Sequence, residues 1–249
     1  MRADPVDLLA EAERITVLSG AGISTESGIQ DFRGPQGLWT QNPKAELISH
    51  LDSYLGDPEV RRAAWQYRAA SPVWQARPNP AHEALVELEK QGRLQAIITQ
   101  NTDGLHQVAG NADDKVLEVH GSVREWQCDS CPATGPMIDQ IERVRAGDPD
   151  PDCPRCGGIT RATTILFGEM LVPEVLDAAF AAATDCDVLL TVGTSLTVQP
   201  VAGLVPTALS EGARAVIVNA EETPFDDWVH AVVRGRLGEV LPRLLGVAA

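Results

Sequence analysis

Basic residues are scarce in this sequence. Twenty Lys and Arg stand against 35 Asp and Glu in 249 residues, giving a formal net charge of −15 and a pI of about 4.7. Sequence-independent binding to nucleic acid or an anionic membrane needs clustered Lys and Arg, so both are excluded as expected partners. The acidic excess suits a solubilising surface and would also suit a basic, lysine-rich partner. No apolar run approaches the ~20 residues that cross a bilayer. The opening stretch, MRADPVDLLAEAER, has no apolar core followed by a cleavage site. A cytoplasmic location is therefore expected, where thiols stay reduced. There is no internal repeat, and no low-complexity linker that would separate independent domains. Hydrophobic residues make up 44% and charged residues 22%, as in a globular protein whose length suits one large domain or a large domain with a small companion.

What is present is a series of short apolar runs: Ile15 to Leu18, Leu94 to Thr99, Val116 to Val119, Val188 to Val192, Ala215 to Val218 and Val229 to Val233. Each is too short for a helix and too uniformly apolar for a strand with one wet face, so they read as buried strands of a parallel sheet. Helical patterns lie between several of them. Asn79 is placed to cap a helix whose first turn holds Pro80 and which Gly92 ends. Further helices are expected from Pro173, over Val201 to Leu209, and over Glu239 to Leu245. Strands alternating with helices give an α/β fold, a Rossmann-type doubly wound parallel sheet.

Two stretches break the alternation. Residues 34–75 carry Pro, Trp and charge with at most helical signals, and residues 124–162 carry paired cysteines and the run GDPDPDCP. Both are expected to leave the sheet and build a smaller domain, a helical module with a zinc ribbon. Residues 1–33, 76–123 and 163–249 then form the nucleotide-binding domain.

The first strand runs into Ser19-Gly20-Ala21-Gly22-Ile23-Ser24. Such glycines let backbone approach a pyrophosphate with free amides, or simply make a tight turn. The third glycine of the dehydrogenase fingerprint would fall at Thr25 and is missing. No acidic residue closes a second strand about 20 residues on, which disfavours hydride-transfer chemistry. The turn continues to Asp31, Phe32, Arg33 and Gly34, where Arg33 suits phosphate and Phe32 suits shielding a reactive centre; a surface Arg and a core Phe are the plainer alternatives.

The second strand ends in Thr99-Gln100-Asn101-Thr102-Asp103-Gly104-Leu105-His106, and the third in His120-Gly121. Polar side chains gathered at the carboxyl ends of apolar parallel strands mark the edge where open α/β sheets bind ligands. A histidine on that edge, beside Gln100, Asn101 and Asp103, is a candidate general base. His106 reads as a helix-surface or packing residue. The fourth and fifth strands run into Gly193-Thr194-Ser195-Leu196 and Asn219-Ala220-Glu221. These offer amides and hydroxyls for phosphate or ribose and a carboxylate for ribose hydroxyls, though turns are generally rich in such residues.

Cys128-x2-Cys131 and Cys153-x2-Cys156 have the spacing of two zinc knuckles. Four thiolates close a tetrahedral shell with no position for water or substrate, so the metal is expected to be structural. Cys186 reads as a core thiol.

In combination these residues resemble the sirtuin family: GAGIS..SGIQDFRG (20 to 34), TQNTDGLH (99 to 106), HG (120 to 121), the cysteine knuckles, FGE (167 to 169), GTSL (193 to 196) and NAE (219 to 221) occur in family order. The resemblance implies NAD as co-substrate, one structural Zn2+, and acylated lysine of a protein as the partner. It implies that the acyl oxygen attacks the nicotinamide ribose, that nicotinamide leaves, and that O-acyl-ADP-ribose and free lysine result. By resemblance the catalytic residues are His120 as base, with Asn101 and Asp103. The cofactor set is Gly20, Ala21, Gly22, Asp31, Phe32, Arg33, Trp39, Gln100, Asn101, Asp103, Gly193, Thr194, Ser195, Asn219, Ala220, Glu221 and Leu237. The substrate set is Phe167, Gly168 and Glu169, whose strand would pair with peptide backbone, together with Trp65, Tyr67 and Arg68.

The sequence departs from the pattern at Gln30, where Pro is usual, and at Thr102, where Ile or Val is usual. Trp65-Gln66-Tyr67-Arg68 stands where desuccinylating members carry Tyr-x-x-Arg. A deacetylase is the expected activity. A desuccinylase or demalonylase, a mono-ADP-ribosyltransferase, and a zinc-ribbon binding module with a vestigial nucleotide fold are the alternatives. A monomer is expected.

Overall fold

The computed structural model describes residues 3–31, 37 and 47–247. Its main layer is a six-stranded parallel sheet built from β1 (Ile15–Ser19), β2 (Leu94–Thr99), β3 (Val116–Glu118), β7 (Val188–Val192), β8 (Arg214–Val218) and β9 (Ala231–Val233), in the order β3-β2-β1-β7-β8-β9. Every expected strand is present, the last starting two residues later than its apolar run. The order reverses direction at β1, the switch point at which doubly wound sheets open a crevice.

Register decides what that crevice holds. Ser19 lies opposite both Thr99 and Val192, Thr99 opposite Glu118, and Val192 opposite Val218. The strands therefore end level, and residues 20, 100, 119 and 193 leave the sheet side by side.

Alternate side chains feed two cores. Ile15, Val17, Ile97, Leu190, Val216 and Val218 pack with α1 (Pro5–Ala10), α4 (Pro80–Lys90) and α9 (Leu237–Leu245). Leu18, Ile98, Leu189 and Ile217 face the other way, against α7 (Pro173–Thr184) and α8 (Leu204–Ser210). The sheet is covered on both faces, which is why its strands read as continuous apolar runs. Asn79 caps α4 as expected, its side chain accepting from Ala81 N at 3.0 Å. The helix expected over Val201 to Leu209 begins as a 3-10 turn (Val201–Gly203) and becomes α-helical only from Leu204.

The second unit is a small antiparallel sheet of β4 (Glu125–Cys128), β5 (Thr134–Pro136) and β6 (Thr160–Ala162), in the order β5-β4-β6. It shares a core with the helices α3 (Pro58–Ala69) and α6 (Met137–Arg145). There Trp65, Trp126, Met137, Ile141 and Val144 surround Cys128 and Cys153. The neighbouring helix α2 (Leu51–Gly56) adds buried Tyr54, whose hydroxyl donates to Thr160 O at 2.9 Å. Helix α6 lies between the two cysteine knuckles, where only a ribbon was expected.

Candidate active site

The turn after β1 is a 3-10 helix, Ala21–Ser27, stopped by Gly28 at φ 84°. Its glycines are required by a close crossing within the protein. A Cβ at Gly20 would lie 2.7 Å from Thr194 Cβ, and one at Gly22 would lie 2.7 Å from Gly193 Cα. The loops after β1 and β7 are thus pressed together, with Gly22 N donating to Gly193 O at 2.8 Å. Gln100 Nε2 donates to Thr194 Oγ1 at 2.8 Å, tying the end of β2 to the same pair.

Beneath this crossing lies a buried polar cluster. Asn101 Nδ2 donates to Gly20 O and to Ser24 Oγ, both at 3.2 Å. Ser24 Oγ donates to Asp103 Oδ2 at 2.7 Å, and Leu105 N donates to Asp103 Oδ1 at 2.9 Å. Burial pushes the Asp103 carboxyl above its ordinary value, while the hydrogen bonds from Leu105 and Ser24 pull it back. The structure therefore brings Asn101, Asp103, Gly20 and Thr194 into one network. It adds Ser24, which the sequence offered only as part of a turn.

His120 follows β3 on the same edge. Its Nδ1 lies 3.0 Å from Gln100 O. A carbonyl only accepts, so Nδ1 carries the proton of the neutral ring and Nε2 is the basic nitrogen. Gly121 has φ 69°, and a Cβ there would meet Thr163 O at 2.1 Å, so the turn that presents His120 admits only glycine. Arg124 supports the adjoining turn by donating from Nε to Asp103 O at 2.6 Å. Sequence reasoning missed Arg124, whose one signal is Gly104, the residue its side chain crosses.

The remaining expected residues are placed as follows. Ser195 is exposed and Asn219 half-buried, with Asn219 Nδ2 donating to Glu221 O at 3.0 Å; Ala220 and Glu221 are exposed. Asp31 is half-buried. Leu237 is buried in the sheet core at the start of α9. Phe32, Arg33 and Trp39 lie outside the described residues. Trp65 is 0% exposed and belongs to the core around the cysteines, with the Arg68 guanidinium 5.0 Å from its ring centroid. Tyr67 is exposed.

In the FGE segment, the Phe167 ring is partly exposed, but its backbone is paired within the chain: Phe167 N donates to Ser49 O at 2.7 Å and Leu51 N to Phe167 O at 3.0 Å. Gly168 has φ 97°. Glu169 turns inward, accepting from Arg161 at 2.6 Å and from Leu166 N at 2.7 Å. Arg161 also reaches Asp129, inside the first knuckle, at 2.9 Å. The segment forms no strand, only an isolated bridge between Phe167 and His50, and the carboxylate expected to meet substrate links it to the metal module. Met170 and Val172, beside it, are exposed apolar residues that the sequence did not single out.

The cysteines form the metal centre. All four Sγ atoms lie within 4.8 Å of one another, with Cys128–Cys156 at 3.6 Å and Cys131–Cys153 at 3.7 Å. A tetrahedron of Zn–S bonds of ~2.3 Å has edges of ~3.8 Å, so this thiolate set fits Zn2+ and leaves no open position. Cys186 is buried, donating to Ala183 O, apart from the cluster.

Comparison with known proteins agrees with this geometry. Residues 20–200 match the Sir2 family model. NAD-dependent protein deacetylase 2 of Streptomyces coelicolor is 49% identical over 231 residues, covering 93% of this chain and 96% of that protein. A Sir2 enzyme solved with p53 peptide and NAD+ superposes with a TM-score of 0.86 at 36% identity, covering 97% of this chain and 95% of the other. A Sir2 variant solved with deacetylated p53 peptide and 3'-O-acetyl ADP ribose gives 0.88 at 35% identity, covering 97% and 96%. The matched span holds the glycine crossing, the Asn101–Ser24–Asp103 cluster, His120 and the four thiolates together, and the chain belongs to the Sir2 family.

Proposed function

We propose that the protein is an NAD-dependent protein-lysine deacylase, with acetyl-lysine in a protein as its substrate and Zn2+ as a structural ion. The observation that carries this reading is the buried Asn101–Ser24–Asp103 cluster, set level with His120 at the ends of adjacent parallel strands. NAD supplies the ribose carbon that receives the acyl oxygen as nicotinamide leaves.

The chain's own residues do the rest. Asp103 holds the nicotinamide carboxamide, in a position fixed by Ser24 and Leu105. Asn101 and Gln100 orient the nicotinamide ribose and a water. His120 takes a proton from a ribose hydroxyl through Nε2, the nitrogen left basic when Nδ1 donates to Gln100 O. Gly20, Ala21, Gly22, Thr194 and Ser195 face the phosphates, and Asn219, Ala220 and Glu221 the adenosine ribose. Asp31, Phe32, Arg33 and Trp39 complete the cofactor set, and Leu237 contributes from beneath. Phe167 and Gly168 guide the peptide, with Glu169 anchoring their segment through Arg161.

The division into residues 1–33, 76–123 and 163–249 against 34–75 and 124–162 belongs to the same reading, supported by the core that Trp65 shares with Met137 and Ile141. A cytoplasmic monomer completes it. Neither alternative activity is favoured: a Trp65 with no exposed surface is no partner for an acidic acyl tail, and the relatives carry deacetylase and deacylase names.

Acetyl-lysine peptide and NAD should give nicotinamide release in step with deacetylation. His120→Ala should cut turnover by about 10²–10⁴-fold. Label from NAD appearing on protein without need of acyl-lysine would show ADP-ribosyl transfer instead.

A further inference from the structure

Two histidines that the proposed chemistry leaves unused are packed together behind the candidate site. His82, in the first turn of α4, and His106, in α5 (Leu105–Ala109), are 0% and 1% exposed, with ring centroids 5.1 Å apart. Each ring has one nitrogen without a hydrogen-bond partner, Nε2 of His82 and Nδ1 of His106. Leaving a buried polar atom unpaired costs ~1–3 kcal/mol, so two in contact call for an account.

Proton counting supplies it. Ser19 Oγ donates its single hydrogen to Thr99 Oγ1 at 2.9 Å. At the 2.9 Å contact between Ser19 Oγ and His106 Nε2, the imidazole must then be the donor, and Nδ1 of His106 is a bare lone pair. His82 Nδ1 accepts from Asn79 N at 3.4 Å, so its proton is on Nε2. One ring therefore carries a spare donor and the other a spare acceptor, with the rings in contact but no hydrogen bond between them. The pair is unsuited to a metal, which would need a lone pair from both rings. Burial lowers His82 to about 4 and His106 to about 3, so both rings are neutral at neutral pH, as this arrangement requires.

From each ring, hydrogen bonds lead to the candidate site. Thr99 Oγ1 also accepts from Asn101 N at 3.1 Å, which folds the turn holding Gln100 and Asn101. At the other end, Asn79 Nδ2 donates to Ile23 O at 2.8 Å and to Ser27 Oγ at 2.9 Å, gripping the glycine turn from its far side.

We infer that His82 and His106 are positioning residues: two neutral rings in contact, one bonded to Asn79 and the other to Ser19 and through it to Thr99, that hold the Asn101 turn against the glycine loop for the nicotinamide end of NAD. This rests on the NAD-dependent reading above. Neither ring touches substrate. Removing His106 takes the imidazole donor from the Ser19–Thr99 pair and loosens Asn101, which affects use of NAD and leaves binding of the peptide untouched.

Two measurements test it. In nitrogen-15 NMR of the full-length protein, both imidazoles should be Nε2–H tautomers that stay neutral at pH 6; an Nδ1–H tautomer in either ring would overturn the pair of anchoring bonds. In steady-state kinetics, His106→Phe should lower kcat/KM for NAD about tenfold, the loss of one buried hydrogen bond, with KM for acetyl-peptide unchanged. His106→Gln, which keeps a donor at the Nε2 position, should recover most of that loss. Should His106→Phe fail to fold, Thr99→Val carries the same expectation. Equal losses toward both substrates, or no rescue by Gln, would mean a purely structural pair. Wild-type protein without NAD-dependent deacylation would instead refute the functional reading, while the NMR result still judges the two anchoring bonds.

Discussion

Among the described residues, the parallel sheet rests on apolar clusters of 24 and 18 buried side chains, whereas the module around the four cysteines rests on clusters of eight and three. The sheet can therefore bury polar groups at its rim in neutral, hydrogen-bonded form: Ser24, Asn101, Thr194, His82 and His106. The cysteine module makes up its small core with charge and metal. Arg61 pairs with Asp150 at 2.8 Å, Arg143 with Asp148 at 2.8 Å and Asp152 at 2.7 Å, and Arg161 with Asp129 and Glu169. A module of that size needs such staples because its apolar burial alone is too small. The two regions should consequently fail in different ways.

The largest difference should come from the metal. Stripping zinc, or replacing Cys153 by Ser, should remove on the order of 10 kcal/mol of folding free energy from the module. Metal content should fall and the fluorescence of Trp65 and Trp126 should shift, while far-UV circular dichroism retains the sheet. Loss of both regions together would show that they do not fold separately.

Acid should act on the sheet rim. His82 and His106 have folded pKa values of about 4 and about 3, below the ordinary 6.5, so their contribution is complete above pH 6.5 and is lost as pH falls. Roughly 5 kcal/mol should go by about pH 4, and His106→Phe should flatten that part of a urea-denaturation pH series.

Next comes Arg161→Met, which strands Asp129 and Glu169 in partly buried surroundings and should cost about 4 kcal/mol. Its more informative effect is on the FGE segment: KM for peptide should rise with KM for NAD unchanged. Leu190→Ala, a cavity in the centre of the sheet, should cost about 3 kcal/mol with no change in either KM.

The smallest effect should come from Glu118, which ends β3. Burial raises it to about 7, so its carboxyl favours the fold below pH 4.5, and that contribution disappears as pH rises through 7. Glu118→Gln should gain about 2 kcal/mol over wild type at pH 8 and almost none at pH 4.5, as read from thermal or urea midpoints.

The sheet was legible because strands buried on both faces need no alternation, only a run of Val, Ile and Leu. The metal centre was legible because thiolate spacing is a local property. The antiparallel strands of the module were not. Glu125–Cys128 does alternate, with Trp126 and Cys128 inside, but four residues are too few to separate a strand from a turn. Helix α6 was hidden between the knuckles by the Pro/Gly/Asp-rich run that follows it. Within the site, Asn101, Asp103 and His120 could be picked out by their place at strand ends. Ser24 and His106 could not, because their importance comes from partners 79 and 87 residues away in the chain. Trp65 and Glu169 show the converse. Position in a motif suggested substrate contact, and tertiary packing turned both inward.

Everything rests on NAD lying across the carboxyl ends of the parallel strands with its nicotinamide end between Asp103 and His120. A crystal structure of the protein with NAD and an acetyl-lysine peptide tests this most directly. The nicotinamide carboxamide should lie within hydrogen-bond reach of Asp103, and the nicotinamide ribose between Asn101 and His120. A dinucleotide bound elsewhere, or bound with its adenine end at His120, would contradict it.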